Sequence, residues 1–197
     1  NEDSLGLNTG DIAADVLACL PVAGHTALQG IERCEVKAGK HLLVVGASGG
    51  VGSFAIQIAK ARGATVSAVC SSKSADYCHA QGADHIIEYD SKRWIDEDNH
   101  FDAIFDLTGD FRLRERKRSL RSNGIYVASF GMGGGALLGP LRGIVGTLLN
   151  GIFNKALRVL TVDTNAQHTE LYTLLSQHQL RPQIQERCPF EEAPKAF

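Results

Sequence analysis

The segment Val45-Gly46-Ala47-Ser48-Gly49-Gly50-Val51-Gly52 carries the strongest chemical signal in the chain. Ala47, Gly49 and Gly52 stand at the spacing of a dinucleotide fingerprint with alanine in the first position. Small residues there let the backbone turn sharply and come close to a pyrophosphate. A helix that starts at this point adds free N–H groups and a partial positive charge for the anion. A glycine turn needed only for close helix–strand packing is the competing explanation. A second cluster, Ser71-Ser72-Lys73, falls where the following strand should end. Nicotinamide dinucleotides without a 2′-phosphate are usually held there by an acid ~20 positions past the glycines. No Asp or Glu appears in this region until Asp76. Hydroxyls and a lysine suit a 2′-phosphate that a carboxylate would repel, so NADP (NADPH) is favoured over NAD. Capping of the next helix by the serines is the alternative for this cluster.

The elements around these residues have the periodicity that such a site needs. His41 to Val45 (HLLVV) predicts a buried strand running into the turn, and Val51, Phe54, Ala55, Ile58 and Ala59 recur at helical spacing across residues 50–62. Further strands are predicted at 64–70, 85–88, 101–107, 124–130 and 158–162, and helices at 74–81, 111–120 and 167–177. This alternation implies an α/β fold, a parallel sheet with helices on both faces. Right-handed crossovers make the doubly wound Rossmann topology the expected arrangement. Residues 136–160 are rich in Leu, Ile, Gly and Val. Pro140, Arg142, Lys155 and Arg158 interrupt them, so they read as a loop and helix over the cofactor or as a subunit contact, with no membrane span.

Composition narrows the class. The chain has 197 residues, 44% hydrophobic and 21% charged, with a formal net charge of -2, which is the make-up of a soluble globular domain without a global bias toward nucleic acid. Cys19, Cys34, Cys70, Cys78 and Cys188 form no C-x-x-C pair and are odd in number, which argues against a disulfide framework or a structural zinc site. A reducing, cytoplasmic compartment is expected, and no metal. Residues 1–7 show no signal peptide. The first residue is Asn1, not methionine, so a piece of a longer protein is expected.

Gly46, Gly50 and Gly52 also satisfy the Gly-x-x-x-Gly-x-Gly pattern of the short-chain dehydrogenases. That family needs a Tyr-x-x-x-Lys pair, and none of Tyr77, Tyr89, Tyr126 or Tyr172 has a lysine four residues later. A different family is matched over nearly the whole chain. Leu20-Pro21-Val22-Ala23-Gly24-His25-Thr26-Ala27, the glycine turn, Gly82-Ala83-Asp84, Tyr89, Phe101-Asp102, Gly124, Arg181-Pro182 and Pro189-Phe190-Glu191-Glu192-Ala193 occur in the order seen there. With these segments the chain resembles the medium-chain dehydrogenase/reductases, most of all the zinc-independent quinone oxidoreductase (zeta-crystallin-like) branch.

The resemblance implies a division into leading helices over residues 1–40, a Rossmann dinucleotide-binding domain over 41–180, and the start of a return segment over 181–197. The GroES-like catalytic domain would be largely absent from this chain. It further implies that Ser48, Gly49, Gly50 and Val51 wrap the pyrophosphate. Ser71, Ser72 and Lys73 would meet the 2′-phosphate, with Tyr89 near the adenosine ribose. Thr26, Thr108 and Gly109 would lie on the nicotinamide side, and Phe130, Gly131 and Met132 would border the nicotinamide and substrate cleft. Tyr89 and Phe130 could equally be packing aromatics. His25 is expected to pack a helix and not to ligate a metal.

The implied reaction moves hydride from NADPH to a quinone or an α,β-unsaturated carbonyl. No catalytic acid can be named from the sequence. Homodimers are an expectation of the resemblance. Arg112, Arg114, Arg116, Lys117, Arg118 and Arg121 crowd one predicted helix with Glu115 the only acid among them. Without interleaved aromatics, a solvated or acid-paired face is expected in preference to nucleic-acid binding. An NADPH-sensing or RNA-binding regulatory module without turnover is the alternative function.

Overall fold

The computed structural model describes residues 12–91, 101–108, 118–129, 157–163, 168–177, 179–189 and 191–192. A short helix α1 (Ala14–Ala18), a single π-helical turn (Leu20–Gly24) and helix α2 (His25–Arg33) lead into strand β1 (His41–Val45). Helix α3 (Gly50–Ala61), strand β2 (Thr65–Cys70), a 3-10 turn (Ser72–Ser74), helix α4 (Ala75–Ala80) and strand β3 (His85–Glu88) follow. Strands β4 (Phe101–Asp106), β5 (Leu120–Ser129) and β6 (Leu157–Leu160) and helix α5 (His168–Ser176) complete the described elements.

The strands form one sheet in the order β3-β2-β1-β4-β5-β6, and every pairing is parallel. This is the doubly wound Rossmann order, with the chain reversing direction across the sheet between β1 and β4. Alternation along each strand sorts the core into two layers. Leu42, Val44, Val66, Ala68, Ala103, Phe105 and Val127 pack with Leu28, Ile31, Phe54 and Ile58 of α2 and α3. Leu43, Val45, Val69, Ile104, Tyr126 and Ala128 form the core of the opposite face. Strands buried on both faces read as near-continuous apolar runs, which is why HLLVV was legible as a strand.

The N-terminal edge of the sheet is pinned by ions. Asp84 takes the Lys60 ammonium at 2.8 Å on both oxygens and the Val66 N–H at 2.7 Å. Asp102 takes Lys40 at 3.2 Å, Arg121 at 2.8 Å and the His41 N–H at 2.9 Å. Burial works to raise both carboxyls, but these donors outweigh it and hold each below the ordinary carboxylate value.

Four expectations need correction. β5 starts at Leu120, not at residue 124, because Phe101 pairs with Leu120 and Ala103 with Ile125, leaving Arg121-Ser122-Asn123-Gly124 as a bulge in the strand. Its polar, glycine-ended sequence is what a turn looks like, and locally it is one. The predicted helix over 111–120 therefore stops before Leu120; Arg118 and Ser119 are helical, and residues 111–117 lie outside the described set. Arg121 belongs to β5 and pairs with Asp102, so it is not part of a basic helix face. β6 ends at Leu160, two residues before the predicted end, where its pairing with Ser129 stops. Of residues 136–160, predicted as a cofactor-covering loop and helix or a subunit contact, 157–160 form β6 and the rest lie outside the described residues; no helix among those described is long and apolar enough to cross a membrane.

Candidate dinucleotide-binding site

The carboxyl ends of β1 and β4 meet at the point where strand order reverses, the place where open α/β sheets bind ligands. β1 ends at Val45, whose carbonyl accepts the Leu107 N–H at 3.1 Å, and Ala47 N–H bonds the Val69 carbonyl at 3.1 Å. The turn is thus tied to both neighbouring strands. Gly46 turns the chain at φ +80°, a conformation that costs a side-chain-bearing residue strain. A Cβ on Gly52 would stand 2.4 Å from the Gly46 carbonyl oxygen and 2.6 Å from that of Ala47, so only glycine lets α3 sit this close to the turn.

Gly49 differs. A Cβ there would meet nothing nearer than the Gly46 oxygen at 3.5 Å, and its backbone is one that any residue adopts. Ser48, Gly49 and Gly50 are exposed, Val51 half-buried, and no side chain caps the α3 N-terminus. The first-turn amides of α3 thus have no side-chain cap, the condition under which a helix N-terminus takes an anion. A cleft of about 680 Å³ lies against this end of α3, bordered by Ser48, Gly50, Ser53, Ala23, Ser74, Tyr77 and residues 182–185. Gln57, buried in α3, shapes that border. Its amide donates to Gln81 at 2.8 Å and accepts the Arg181 N–H at 2.7 Å, which fixes the chain at Arg181 beside α3.

Beyond the ends of β2 and β3, the Tyr89 N–H bonds the Cys70 carbonyl at 3.1 Å and joins the tips of the two strands. Ser71 and Ser74 share a hydroxyl hydrogen bond at 3.2 Å. The Asp90 carboxylate accepts the Ser72 hydroxyl at 2.8 Å and the Ser72 N–H at 3.2 Å, and these two donors hold it below the ordinary carboxylate value. Lys73 is exposed and pairs with no carboxylate among the described residues. Tyr89 is 61% exposed, so its ring is not a core residue. Cys70 and Cys78 lie below this loop, and burial pushes both thiols up, Cys78 to about 12, which leaves them inert as nucleophiles.

After β4, Thr108 stands beside the turn, its methyl 3.4 Å from where a Gly46 Cβ would be. The buried Asp106 carboxylate accepts the Thr108 N–H at 2.8 Å, the Thr108 hydroxyl at 2.7 Å and the Tyr126 hydroxyl, fixing the first residues after β4. Thr26 is buried in the first turn of α2 and does not line the cleft. Gly109, Phe130, Gly131 and Met132 lie outside the described residues. Sequence reasoning missed Gln57, Asp90, Asp106 and Tyr126. The one available signal was Asp106, the acid that closes β4 directly after Ala103-Ile104-Phe105.

The open face of Gly49 and the uncapped α3 fit a dinucleotide pyrophosphate. The described residues do not fit a zinc ion, since no three His, Cys, Asp or Glu side chains among them gather as a metal site, and His25 is buried at the start of α2.

Comparison with known proteins agrees with this geometry. The family model described as zinc-binding dehydrogenase matches residues 81–197. A mitochondrial NAD(P)H oxidoreductase of Mus musculus is 31% identical over 81% of this chain and 44% of its own length. The chloroplastic NADPH-dependent alkenal/one oxidoreductase of Arabidopsis thaliana is 38% identical over 55% of this chain and 28% of its own. Among solved structures, the quinone oxidoreductase from Coxiella burnetii superposes with a TM-score of 0.73 at 28% identity, covering 91% of this chain and 54% of that one. The chain spans about half the length of these relatives or less.

Proposed function

We propose, from the premise that this chain belongs to the zinc-binding dehydrogenase family, that it is the NADPH-binding part of a zinc-independent reductase of quinones or α,β-unsaturated carbonyls. The observation that carries the reading is the cradle at the sheet's switch point: a turn closed by Gly52, an open face at Gly49 and uncapped amides at α3. The substrate class is supported by the alkenal/one oxidoreductase and quinone oxidoreductase among its relatives.

When bound, the nicotinamide supplies the hydride. The chain's own residues bind and orient. Ser48, Gly49, Gly50 and Val51 hold the pyrophosphate. Ser71 and Lys73 face the 2′-phosphate, with Tyr89 along the adenosine ribose, and the exposure of Lys73 and Tyr89 supports these assignments. Asp106 and Tyr126 keep Thr108 beside the turn on the nicotinamide side, to which the resemblance also assigns Gly109. In the same reading Phe130, Gly131 and Met132 border the nicotinamide and substrate cleft, and Thr26, buried in α2, belongs to the nicotinamide side. Residues 1–40 are the link from a catalytic domain, 41–180 the binding domain and 181–197 the return segment.

The chain acts in the cytoplasm, a reading supported by its five free thiols. A homodimer through an edge of this domain is part of the same reading. Calorimetric titration of the 197-residue chain with NADPH and with NADH tests the site. NADPH bound at least ~10-fold more tightly is the expected result. Binding of neither removes the site assignment. Oxidation of NADPH by a quinone or enone panel in the full-length parent tests the reaction, and silence with cofactor bound favours a sensor.

A further inference from the structure

We infer that Asp90 is a specificity residue: a fixed negative charge at the ribose end that holds the preference for a 2′-phosphorylated dinucleotide below what Ser71 and Lys73 alone would give. This rests on the site assignment above.

The geometry is particular to this loop. The Tyr89 N–H to Cys70 carbonyl bond carries the residue after Tyr89 back over the tip of β2. There the Asp90 carboxylate occupies both the hydroxyl and the amide of Ser72, at 2.8 Å and 3.2 Å. Those two donors are the ones a phosphate would otherwise take from the turn. The Ser71 hydroxyl is shared with Ser74. For a 2′-phosphate the turn therefore offers chiefly the Lys73 ammonium, with a carboxylate next door. Asp90 cannot swing away without giving up both bonds to Ser72.

One carboxylate acts oppositely on the two cofactors. Toward a ribose 2′-hydroxyl it is an acceptor, the part an acid plays in NAD sites. Toward a dianionic phosphate it is a repulsive charge. The usual acid of an NAD site sits at the end of the second strand, where this chain has Ser71-Ser72-Lys73. Here the acid reaches the same turn from the end of the third strand, and so the sequence around the serines gives no sign of it.

Asp90→Asn keeps the side chain's shape and an acceptor for Ser72 while removing the charge. Dissociation constants for NADPH and NADH are measured on the 197-residue chain at low salt and again at high salt. The NADPH-over-NADH affinity ratio should rise about fivefold at low salt, and the rise should shrink at ~0.5 M salt. Asp84→Asn makes the same change of net charge at the other end of β3, and its ratio should stay within about twofold of wild type. An unchanged or lowered ratio in Asp90→Asn, or an equal rise in Asp84→Asn, overturns the inference. If Asp90→Asn melts early, Asp90→Ser replaces it under the same criteria. The wild-type ratio tests the cofactor assignment, whereas the change in ratio tests Asp90. A wild type that prefers NADH but shifts fivefold on substitution sinks the former and supports the latter. A chain that binds neither cofactor overturns both.

Discussion

The two ends of the proposed cofactor cleft are built from different materials. At the pyrophosphate end the work is done by backbone: Gly46 turns, Gly52 admits α3, and no side chain caps the first turn of α3. At the ribose end it is done by side chains: Ser71 on Ser74, Ser72 on Asp90, and Lys73 and Tyr89 exposed. A backbone site tolerates almost no substitution yet recognises only what all dinucleotides share. A side-chain site changes its preference with a single charge and leaves the fold alone. Recognition of the class and choice within the class are thereby separated along one cleft.

The largest effect that tests this contrast is Gly52→Ala. Its methyl would enter the backbone of the turn, and a loss of ~3 kcal/mol in urea unfolding is expected, with no soluble folded protein as the extreme outcome. Stability near wild type would mean that the turn is looser than its geometry implies. Gly49→Val separates folding from binding. The melting temperature should hold while affinity for NADPH and NADH falls together by ~100-fold, since the valine stands between the ligand and the first-turn amides. Retained affinity in calorimetry would move the pyrophosphate elsewhere.

Lys73→Ala should act at the other end only. NADPH should bind ~10-fold more weakly and NADH within about twofold of wild type. Parallel losses would show that the lysine serves the loop and not the phosphate.

The smallest effect lies away from the cleft, at the pinned edge of the sheet. The Asp84 carboxyl is depressed in the folded chain, so its contribution is present above its unfolded value and is lost as pH falls through the folded one. Urea midpoints of the wild type should therefore drop more steeply between about pH 5 and pH 3 than those of Asp84→Asn. At neutral pH the variant should be ~1 kcal/mol less stable, with cofactor affinity unaltered. A change in affinity would tie the two edges together and blur the contrast.

The backbone end was readable from sequence because its rules are local. Apolar runs such as HLLVV and the spacing of Ala47, Gly49 and Gly52 specify strand, turn and helix within a few residues. The side-chain end was readable only in part. Ser71 and Lys73 are neighbours in sequence, but Asp90 reaches Ser72 only through the pairing of β2 with β3, which places Cys70 opposite Glu88. Gln57 with Arg181, and Asp106 with Tyr126, are likewise products of register and packing. The start of β5 was misread for the converse reason: Arg121-Ser122-Asn123-Gly124 has turn chemistry, and only the strand beside it shows that the ladder continues on either side.

The strand order also has a consequence in time. β1 can pair with β2 as soon as α3 has connected them, but its other neighbour, β4, does not exist until β3 and all the chain before it have been made. Closing that seam carries the greater loop entropy and so belongs to the slower stage of assembly. Residues 41–90 can already form the glycine turn and the loop at Ser72, yet the bond from Leu107 to Val45 and the position of Thr108 must wait for β4. A nascent chain released before β4 would hold half a cradle, with the central strand of the future sheet still an open edge exposed to a neighbour's pairing.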